Sequence, residues 1–167
     1  MIRAVANTEF RIRPMISSDA GAIKEIISMS FSPFLRLFAL HSIREDGQVL
    51  VSETPEAIIA AFAKLIEVKV GGRKFGCILW LAVRREFRRK GIATALVEAG
   101  VECLKAAGAI AVFASIQRRN EASLRVFGRK GFRRMSFLEL WRLFGSRTFE
   151  FYREIWVAPG EVVLMHD

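Results

Sequence analysis

Short apolar runs alternate with amphipathic stretches along the chain, and this pattern predicts alternating strands and helices. Residues 10–14 alternate apolar and charged side chains, as a half-exposed strand does. The Ser-Ser-Asp sequence at 17–19 then supplies a cap for a helix that carries three isoleucines at helical spacing. Pro33 suits the first turn of a second helix, which we expect to end before residues 45–47.

Three strands are predicted in the next part of the chain. A short strand covers residues 49–52, and two longer ones cover 57–70 and 74–83, joined by a hairpin turn at 71–72, Gly-Gly. The alanines within 57–65 weaken the strand prediction and permit a helix there, so both interpretations stay open from the local pattern alone.

The middle of the chain predicts a strand that leads through a basic turn into a long helix. Residues 79–83 are continuously apolar, residues 84–90 are rich in arginine, and apolar side chains recur at helical spacing after Gly91. Gly108 is suited to end this helix. The apolar residues 109–114 then favour a parallel strand buried on both faces.

The last third of the chain predicts a helix, an inserted helix and two strands. Asn120 is suited to cap a helix that Gly131 ends. Large apolar and charged side chains at helical spacing indicate an inserted helix over residues 137–147. Residues 148–157 and 161–166 favour strands separated by an Ala-Pro-Gly turn.

The length and composition of the chain predict one folded domain. With 167 residues, 52% of them hydrophobic, we expect a single domain over 1–167 with its own core. No apolar segment approaches the roughly 20 residues that span a bilayer, and the N-terminus lacks the apolar core of a secretory signal. We therefore expect a cytoplasmic protein without a membrane partner.

The net charge of +9 predicts a surface that attracts anions, such as phosphates, acidic proteins or nucleic acid. Basic residues cluster late in the chain without the aromatic motifs of RNA-binding modules, at Arg118, Arg119, Arg125, Arg129, Lys130, Arg133 and Arg134. The two cysteines and two histidines lack metal-ligand spacing, so no metal site is predicted.

The turn before the long helix carries charges of an unexpected sign. A helix N-terminus is partially positive and prefers acidic side chains, yet Arg88, Arg89 and Lys90 precede this one. A bound anion would reverse the penalty, because the free backbone amides and the cations would then act on the same negative charge. The pattern fits a pyrophosphate site, and the alternative is a solvated basic loop in which Gly91 is only a turn residue.

Two motifs resemble those of a known family. Arg88-x-x-Gly91-x-Ala93 follows an apolar strand and resembles the acyl-CoA motif of the GNAT acetyltransferase superfamily, which has Arg or Gln, x, x, Gly, x, Gly or Ala. Residues 120–132 resemble the family's later Asn-x-x-Ala-x-x-x-Tyr-x-x-x-Gly-Phe helix. The resemblance implies a mixed α/β fold, a single GNAT-like domain whose twisted mixed sheet has splayed central strands. Its implied order is a strand, two helices, three strands, a helix, a strand, a helix and two strands, and it favours a strand over 57–65.

The resemblance also implies where acetyl-CoA binds as the co-substrate. The acyl-CoA would lie between the strand that ends at Val83 and the strand that ends near Ser115. Main-chain groups of Leu81 and Val83 would bind the pantetheine arm and polarise the thioester carbonyl. Contacts with the co-substrate are implied for Arg88, Arg89, Lys90, Gly91, Ile92, Ala93, Asn120, Ser123 and Phe127.

The chain departs from the family's pattern at two frequent proton-transfer positions. The tyrosine that often protonates the leaving thiolate is replaced by Phe127, which has no proton to donate. A glutamate of the histone-modifying branch is replaced by Cys77. The catalytic residues therefore stay unassigned, and the substitutes to consider are Glu53, Glu67, Tyr152 and Glu154.

The activity implied by the resemblance is N-acetyl transfer, in which a primary amine of a small molecule or a protein attacks acetyl-CoA directly. Trp156 and residues 159–161 resemble the closing hairpin of members that acetylate protein N-termini, which favours a protein or peptide acceptor. Two alternatives stay open. One is a non-catalytic acyl-CoA-binding regulatory protein with the same fold, and the other is a nucleic-acid-binding module on the basic surface.

Overall fold

A computed structural model describes residues 10–167, which contain seven strands and six α-helices. The strands are β1 (Arg11–Pro14), β2 (Gln48–Glu53), β3 (Ile59–Val70), β4 (Arg73–Val83), β5 (Val112–Gln117), β6 (Arg133–Met135) and β7 (Glu161–His166). The helices are α1 (Ala20–Ser30), α2 (Pro33–Ser42), α3 (Ile92–Ala106), α4 (Glu121–Arg129), α5 (Phe137–Phe144) and α6 (Thr148–Glu154). Short 3₁₀ turns cover Ser17–Asp19, Arg85–Phe87 and Gly145–Arg147.

The strands form one mixed sheet in the order β1-β2-β3-β4-β5-β7-β6. Neighbouring strands are antiparallel throughout, except that β4 and β5 are parallel. The long helix α3 connects these two strands, as a parallel pair requires a crossover. The mixed α/β fold and the order of its elements predicted from the sequence are confirmed.

The helices cover both faces of the sheet. Helices α3 and α4 pack on one face, against alternate residues of β3, β4 and β5. On the other face, α1 and α2 cover β2, β3 and β4. Helices α5 and α6 cover the part of that second face nearer β7. The second face is therefore shared by two separate helical pairs, each with its own cluster of buried residues. No helix of the described residues is both long and apolar enough to cross a membrane.

Helix α3 approaches the sheet closely because glycine lies at the contact. A Cβ atom at Gly76 of β4 would come within 2.8 Å of the Leu104 side chain on α3. A Cβ atom at Gly100 of α3 would come within 3.0 Å of Leu65 on β3. Both distances are shorter than an ordinary van der Waals contact, so the two glycines let the helix lie this close to the sheet.

A buried lysine fixes the loop that follows α2. The Lys64 side chain lies inside the protein, and its ammonium donates hydrogen bonds of 3.0 Å to the carbonyl oxygens of Glu45 and Asp46. Burial lowers the pKa of Lys64, although the Asp46 and Glu45 carboxylates act in the opposite direction. The contact holds the end of α2 against β3.

One predicted element has the wrong type. The strand predicted over 148–157 is the helix α6 and the turn after it. Its aromatic residues favour a strand locally, but Thr148, Phe151 and Ile155 are the buried positions, and their spacing of three and four residues is helical. The contact of this face with the core overrides the local preference.

Other predicted boundaries need smaller corrections. The strand predicted over 109–114 starts three residues later and runs to Gln117. The interpretation of 57–65 as a helix is wrong, because β3 begins at Ile59 and pairs on both sides. The inserted helix predicted over 137–147 is present as α5 and the 3₁₀ turn that follows it. The Gly71-Gly72 turn is confirmed, with positive φ angles of 60° and 75°.

The glycine at the contact between α3 and β4 predicts a stability effect. Replacing Gly76→Val would force Leu104 and α3 outward, and such overpacking costs about 1–3 kcal/mol. The control is Gly128→Ala, because a Cβ atom there meets no atom within 4 Å and alanine favours the helix by about 0.5–1 kcal/mol. We expect urea unfolding to show a lower midpoint for Gly76→Val and an equal or higher one for Gly128→Ala. An unchanged midpoint for Gly76→Val would show that the helix has room to move.

Candidate active site

The candidate site is a cleft that opens where β4 and β5 separate. These strands pair only through Gly76 with Val112 and Cys77 with Phe113. A bulge in β4 between Ile78 and Trp80 follows at once. Beyond it, β4 continues to Val83 beside β3, while β5 continues to Gln117 beside β7. We call the gap between residues 78–83 of β4 and 114–117 of β5 the cleft.

Backbone groups of β4 point into the cleft. The Arg84 amide donates to the Ala60 carbonyl at 2.9 Å, so residue 84 faces β3. Because successive residues of a strand face opposite neighbours, Leu81 and Val83 turn their amide and carbonyl groups away from β3. The Val83 carbonyl accepts a hydrogen bond of 3.2 Å from Arg88 Nε. The predicted pantetheine-binding groups of Leu81 and Val83 therefore lie on the strand edge that borders the cleft.

The basic turn forms a concave backbone at the end of the cleft. Arg89 and Gly91 have positive φ angles of 63° and 80°. Helix α3 begins at Ile92, and no side chain of the described residues caps it and no acidic residue lies in its first turn. Amides of such a turn and of an uncapped helix start converge on one point, which is the geometry that binds phosphate groups. The turn therefore suits a pyrophosphate.

The cations of the turn point in different directions. The Lys90 ammonium lies over the rings of Phe10 and Phe87, at 5.9 and 5.7 Å from their centres. The Arg88 guanidinium bonds back to the end of β4. The predicted contacts of Arg88, Arg89 and Lys90 with the co-substrate stay predictions.

Helix α4 borders the cleft on the side of β5. The Asn120 side-chain oxygen accepts a hydrogen bond of 3.1 Å from the Ser123 amide, so the predicted cap is confirmed. Phe127 is only 3% exposed and packs edge to face on Phe132, with ring centres 4.9 Å apart. Its surroundings are those of a core residue between α4 and α3. The predicted contacts of Asn120, Ser123 and Phe127 with the co-substrate stay predictions.

Cys77 lies at the closed end of the cleft and is buried. Burial, together with the Glu161 charge, raises the pKa of Cys77 to about 12. At neutral pH the side chain is therefore a thiol and a poor proton acceptor.

Two of the substitutes considered from the sequence are engaged elsewhere in the sheet. Glu53 bonds to Arg13 between β1 and β2, and Glu67 pairs with Lys74 on the hairpin. Glu154 pairs with Arg153 at the end of α6. Burial raises the pKa of Tyr152, which keeps its phenol neutral.

A polar group that the sequence did not single out lines the β5 side of the cleft. The Ser115 hydroxyl donates to Glu161 Oε2 at 2.6 Å, and the Gln117 side-chain amide donates to Glu161 Oε1 at 3.2 Å. The Ala158 amide also donates to Glu161 Oε2, at 2.9 Å. The available signal was the alternation of β5, because Ser115 and Gln117 interrupt an otherwise apolar run at every second position.

Aromatic side chains border the cleft on the face that carries α1 and α2. Trp80 of β4 packs edge to face on Phe31, with ring centres 5.2 Å apart. Phe38 of α2 contacts Trp156, at 5.8 Å between ring centres. The second contact joins α2 to the loop before β7, so it spans the gap between the two helical pairs.

Trp156 adopts an unusual backbone conformation. Its φ angle is 55°, and its amide donates to the Arg153 carbonyl while the Val157 amide donates to the Tyr152 carbonyl. This is the hydrogen-bond pattern of a Schellman motif at the end of α6, and glycine is the usual residue at its left-handed position. A left-handed non-glycine residue costs roughly 1–2 kcal/mol. Tryptophan at this position therefore makes the end of α6 less stable than glycine would.

Comparison with known proteins agrees with this geometry. The sequence profile of the acetyltransferase (GNAT) family matches residues 21–132. N-alpha-acetyltransferase 30 of Schizosaccharomyces pombe is 28% identical over 129 residues, which cover 77% of this chain and 85% of the yeast protein.

Solved structures share the fold. A GNAT-family protein from Desulfovibrio desulfuricans superposes with a TM-score of 0.72 and 16% identity, over 95% of this chain and 98% of the other. Arabidopsis thaliana Naa50, bound to the bisubstrate analogue CoA-Ac-MVNAL, gives a TM-score of 0.65 and 12% identity, over 95% and 99% of the two chains.

The concave turn predicts an effect of Gly91 on acetyl-CoA binding. A Cβ atom at Gly91 meets no protein atom within 4 Å, so Gly91→Val would project into the space over the amides. Losing hydrogen bonds to charged groups costs about 1.5–3 kcal/mol, which corresponds to an affinity lower by about 10-fold to 150-fold. Calorimetric titration with acetyl-CoA measures this change.

The matched control for this prediction is Gly72→Val. Gly72 also has a positive φ angle, and a Cβ atom there also meets no protein atom. Both variants carry the same backbone penalty, so a difference in acetyl-CoA affinity between them reports the contact alone. Equal affinities would remove the turn from the binding site.

Proposed function

The chain belongs to the GNAT family of acetyltransferases, and on that premise we propose that it transfers the acetyl group of acetyl-CoA to the α-amine of a peptide or protein. It is an acetyl-CoA-dependent N-acetyltransferase. The finer part of the proposal is the acceptor. The site residues named above are likewise proposed as the groups that hold the co-substrate.

The single observation that supports this assignment most strongly is the cleft with its unpaired strand edge. Leu81 and Val83 present backbone donors and acceptors to a space that β5 has left, and an extended pantetheine arm has complementary amide groups. The uncapped start of α3 lies at the end of the same strand, where it would receive the pyrophosphate. Asn120, as the cap of α4, is proposed to contact the arm from the opposite side.

The chemistry assigned to this arrangement is direct transfer. The amine nitrogen forms a bond with the thioester carbonyl carbon, and the carbon–sulfur bond breaks. Backbone amides at the cleft edge would stabilise the negative charge that develops on the carbonyl oxygen, as preorganised donors do. Phe127 has no proton for the leaving thiolate, so the thiolate would take its proton from the departing ammonium or from solvent.

A peptide acceptor is supported by the other face of the cleft. Trp80, Phe31, Phe38 and Trp156 supply flat apolar surfaces beside the opening. Apolar pockets with a few polar groups are typical binding sites for organic ligands, and aromatic side chains are enriched where peptides bind. The similarity to an N-alpha-acetyltransferase and to Naa50 with its peptide-containing analogue agrees with an α-amine acceptor.

A panel of amines tests the proposal. The protein is incubated with acetyl-CoA and the peptide Met-Val-Asn-Ala-Leu, and CoA thiol release and peptide mass are followed. The controls are the same peptide with a blocked N-terminus, a blocked peptide that contains lysine, and small primary amines. We expect acetylation of the free α-amine and none of the blocked pentapeptide. Acetylation of the lysine or small amines alone would overturn the proposed acceptor, and acetyl-CoA binding without any transfer would favour a regulatory protein.

Replacing Trp156 should weaken acceptor binding without changing the stability of the protein. Trp156→Gly removes the ring but suits the left-handed backbone, so the roughly 1–2 kcal/mol of relieved strain offsets the lost ring contact of about 0.5–1.5 kcal/mol. We expect the free energy of unfolding to change little, the KM for the acceptor to rise about tenfold and the affinity for acetyl-CoA to stay constant.

The control for the Trp156 variant is Phe149→Ala. Phe149 is an exposed aromatic residue of α6 that contacts Phe137 and Trp141 instead of α2. Its replacement should leave the KM for the acceptor unchanged. A KM that Trp156→Gly does not alter would exclude this loop from the acceptor site.

A further inference from the structure

We propose that Ser115 and Glu161 form a proton-accepting pair that removes the proton from the acceptor ammonium, with Ser115 touching the amine and Glu161 receiving the proton behind it. The inference rests on the proposed N-acetyl transfer to an amine. It assigns the base that the sequence left open. An acceptor amine with a pKa of about 8 is largely protonated at neutral pH and has no free electron pair until that proton leaves.

The hydrogen bond between the two residues has the geometry of a charge-assisted contact. The distance from Ser115 Oγ to Glu161 Oε2 is 2.6 Å, and bonds from a hydroxyl to a carboxylate are typically about 2.5–2.7 Å. In this bond the Ser115 hydroxyl proton points at the Glu161 carboxylate. The lone pairs of Ser115 Oγ therefore stay available to accept a proton from another donor.

The position of Ser115 follows from the separation of the strands. Phe113 is the last residue of β5 that pairs with β4, and Ser115 comes two residues later in the same strand. Because side chains alternate along a strand, Ser115 faces the side of the sheet that Phe113 and Cys77 face. This is the face that carries α1 and α2 and the aromatic contacts, opposite to α3. Ser115 is thus on the side from which an acceptor would enter.

The register of β7 against β5 brings Glu161 to the same place. Gln117 pairs with Glu161, so the carboxylate lies near the end of β5 where the cleft is open. Both Ser115 and Glu161 are half-buried, which leaves them reachable from the cleft. Three donors converge on the carboxylate, from Ser115, Gln117 and the Ala158 amide, and hold it in place beside the cleft.

The charged groups around Glu161 leave its carboxylate without a counterion. Among residues 10–167, no lysine, arginine or histidine forms an ion pair with it. The nearby groups of β5 are the uncharged Ser115 and Gln117, and Cys77 of β4 is a neutral thiol. Arg118 follows β5 and its amide donates to the Gly160 carbonyl, but its guanidinium forms no ion pair with Glu161. On α6, Tyr152 is neutral and Arg153 is paired with Glu154. An incoming ammonium would be the cation that this carboxylate meets.

The proposed proton transfer involves the acceptor ammonium, Ser115 and Glu161. The ammonium N–H bond breaks as its proton passes to Ser115 Oγ, and the Ser115 O–H proton passes to Glu161 Oε2. The amine keeps the electron pair and attacks the thioester carbonyl carbon. The sulfur leaves with the electrons of the carbon–sulfur bond and receives the second proton of the nitrogen. The Glu161 proton then goes to solvent, and the pair returns to its starting state.

The dependence of kcat on pH tests the pair. In the parent protein the base acts within the bound complex, so kcat should stay nearly constant from about pH 6 to 9. In Glu161→Gln, the bound amine must already be neutral, so kcat should rise about tenfold per pH unit and level off near the amine pKa of about 8. For an α-amine with a pKa of about 8, we expect a loss of about 100-fold at pH 6 and near-parent rates at pH 9.

Two further variants separate proton transfer from structure. Ser115→Ala removes the bridging hydroxyl and should also give a rate that rises with pH, whereas Ser115→Thr keeps the hydroxyl and should keep the flat profile. Gln117→Ala removes a neighbour of Glu161 that cannot accept the proton, and its profile should also stay flat. Thermal melting and acetyl-CoA affinity are measured for each variant to confirm folding.

The pH profiles test the Ser115–Glu161 pair separately from the identity of the acceptor, which the panel of amines tests. The profiles are recorded with whichever amine of the panel the parent acetylates best, peptide or small molecule, so a wrong peptide assignment leaves this test in place. A profile of Glu161→Gln or Ser115→Ala parallel to that of the parent would overturn the pair. A folded Glu161→Gln that stays inactive one pH unit above the pKa of the amine used would also overturn it, because the carboxylate would then have a role other than accepting a proton.

Discussion

The parallel pairing of β4 and β5 over only two residues is the constraint on which the site depends. Gly76 and Cys77 tie the two halves of the sheet together, and the bulge that follows turns β4 away from β5. Buried backbone groups need hydrogen-bond partners, so an interior strand edge without a neighbouring strand is stable only where solvent or a ligand reaches it. The separation of the strands thus creates the opening and leaves the backbone groups of Leu81 and Val83 without a neighbouring strand on that side.

The two faces of the sheet carry different parts of the proposed site. The start of α3 and the basic turn lie at the end of β4, and the polar pair of Ser115 and Glu161 lies on the opposite face. In the proposed site, phosphate binding would depend on backbone conformation and a helix terminus, whereas acceptor chemistry would depend on side chains from β5, β7 and the helical pairs.

The acceptor side is held by contacts between distant parts of the chain. Lys64 fixes the loop after α2, and Phe38 of that helix meets Trp156 from the loop before β7. Trp156 occupies a backbone position that glycine fills at lower energy. Unfavourable local conformations persist where the surrounding structure enforces them, and they concentrate at functional sites. The unfavourable backbone of Trp156 supports its proposed role in acceptor binding.

The sequence by itself determined the family and the order of the elements, because these depend on local motifs and short-range periodicity. For the same reason it located the turn around Gly91 between a strand and a long helix. It also located the cap at Asn120 and the strand edge at Leu81 and Val83. It did not determine α6, because local aromatic residues favour a strand and only packing against the core reveals the helical face. The sequence placed Phe127 in the motif of residues 120–132, but its burial between α4 and α3 is a property of the packed fold.

Only the tertiary structure decided which carboxylate meets the cleft. Ser115 and Glu161 are separated by 46 residues, and their contact depends on the register of β7 against β5. A shift of one residue in that register would turn Glu161 to the other face of the sheet. No local pattern encodes such a register, since it is set by the hydrophobic faces of both strands and by the helices that cover them. The site therefore follows from motifs for its co-substrate side and from long-range pairing for its acceptor side.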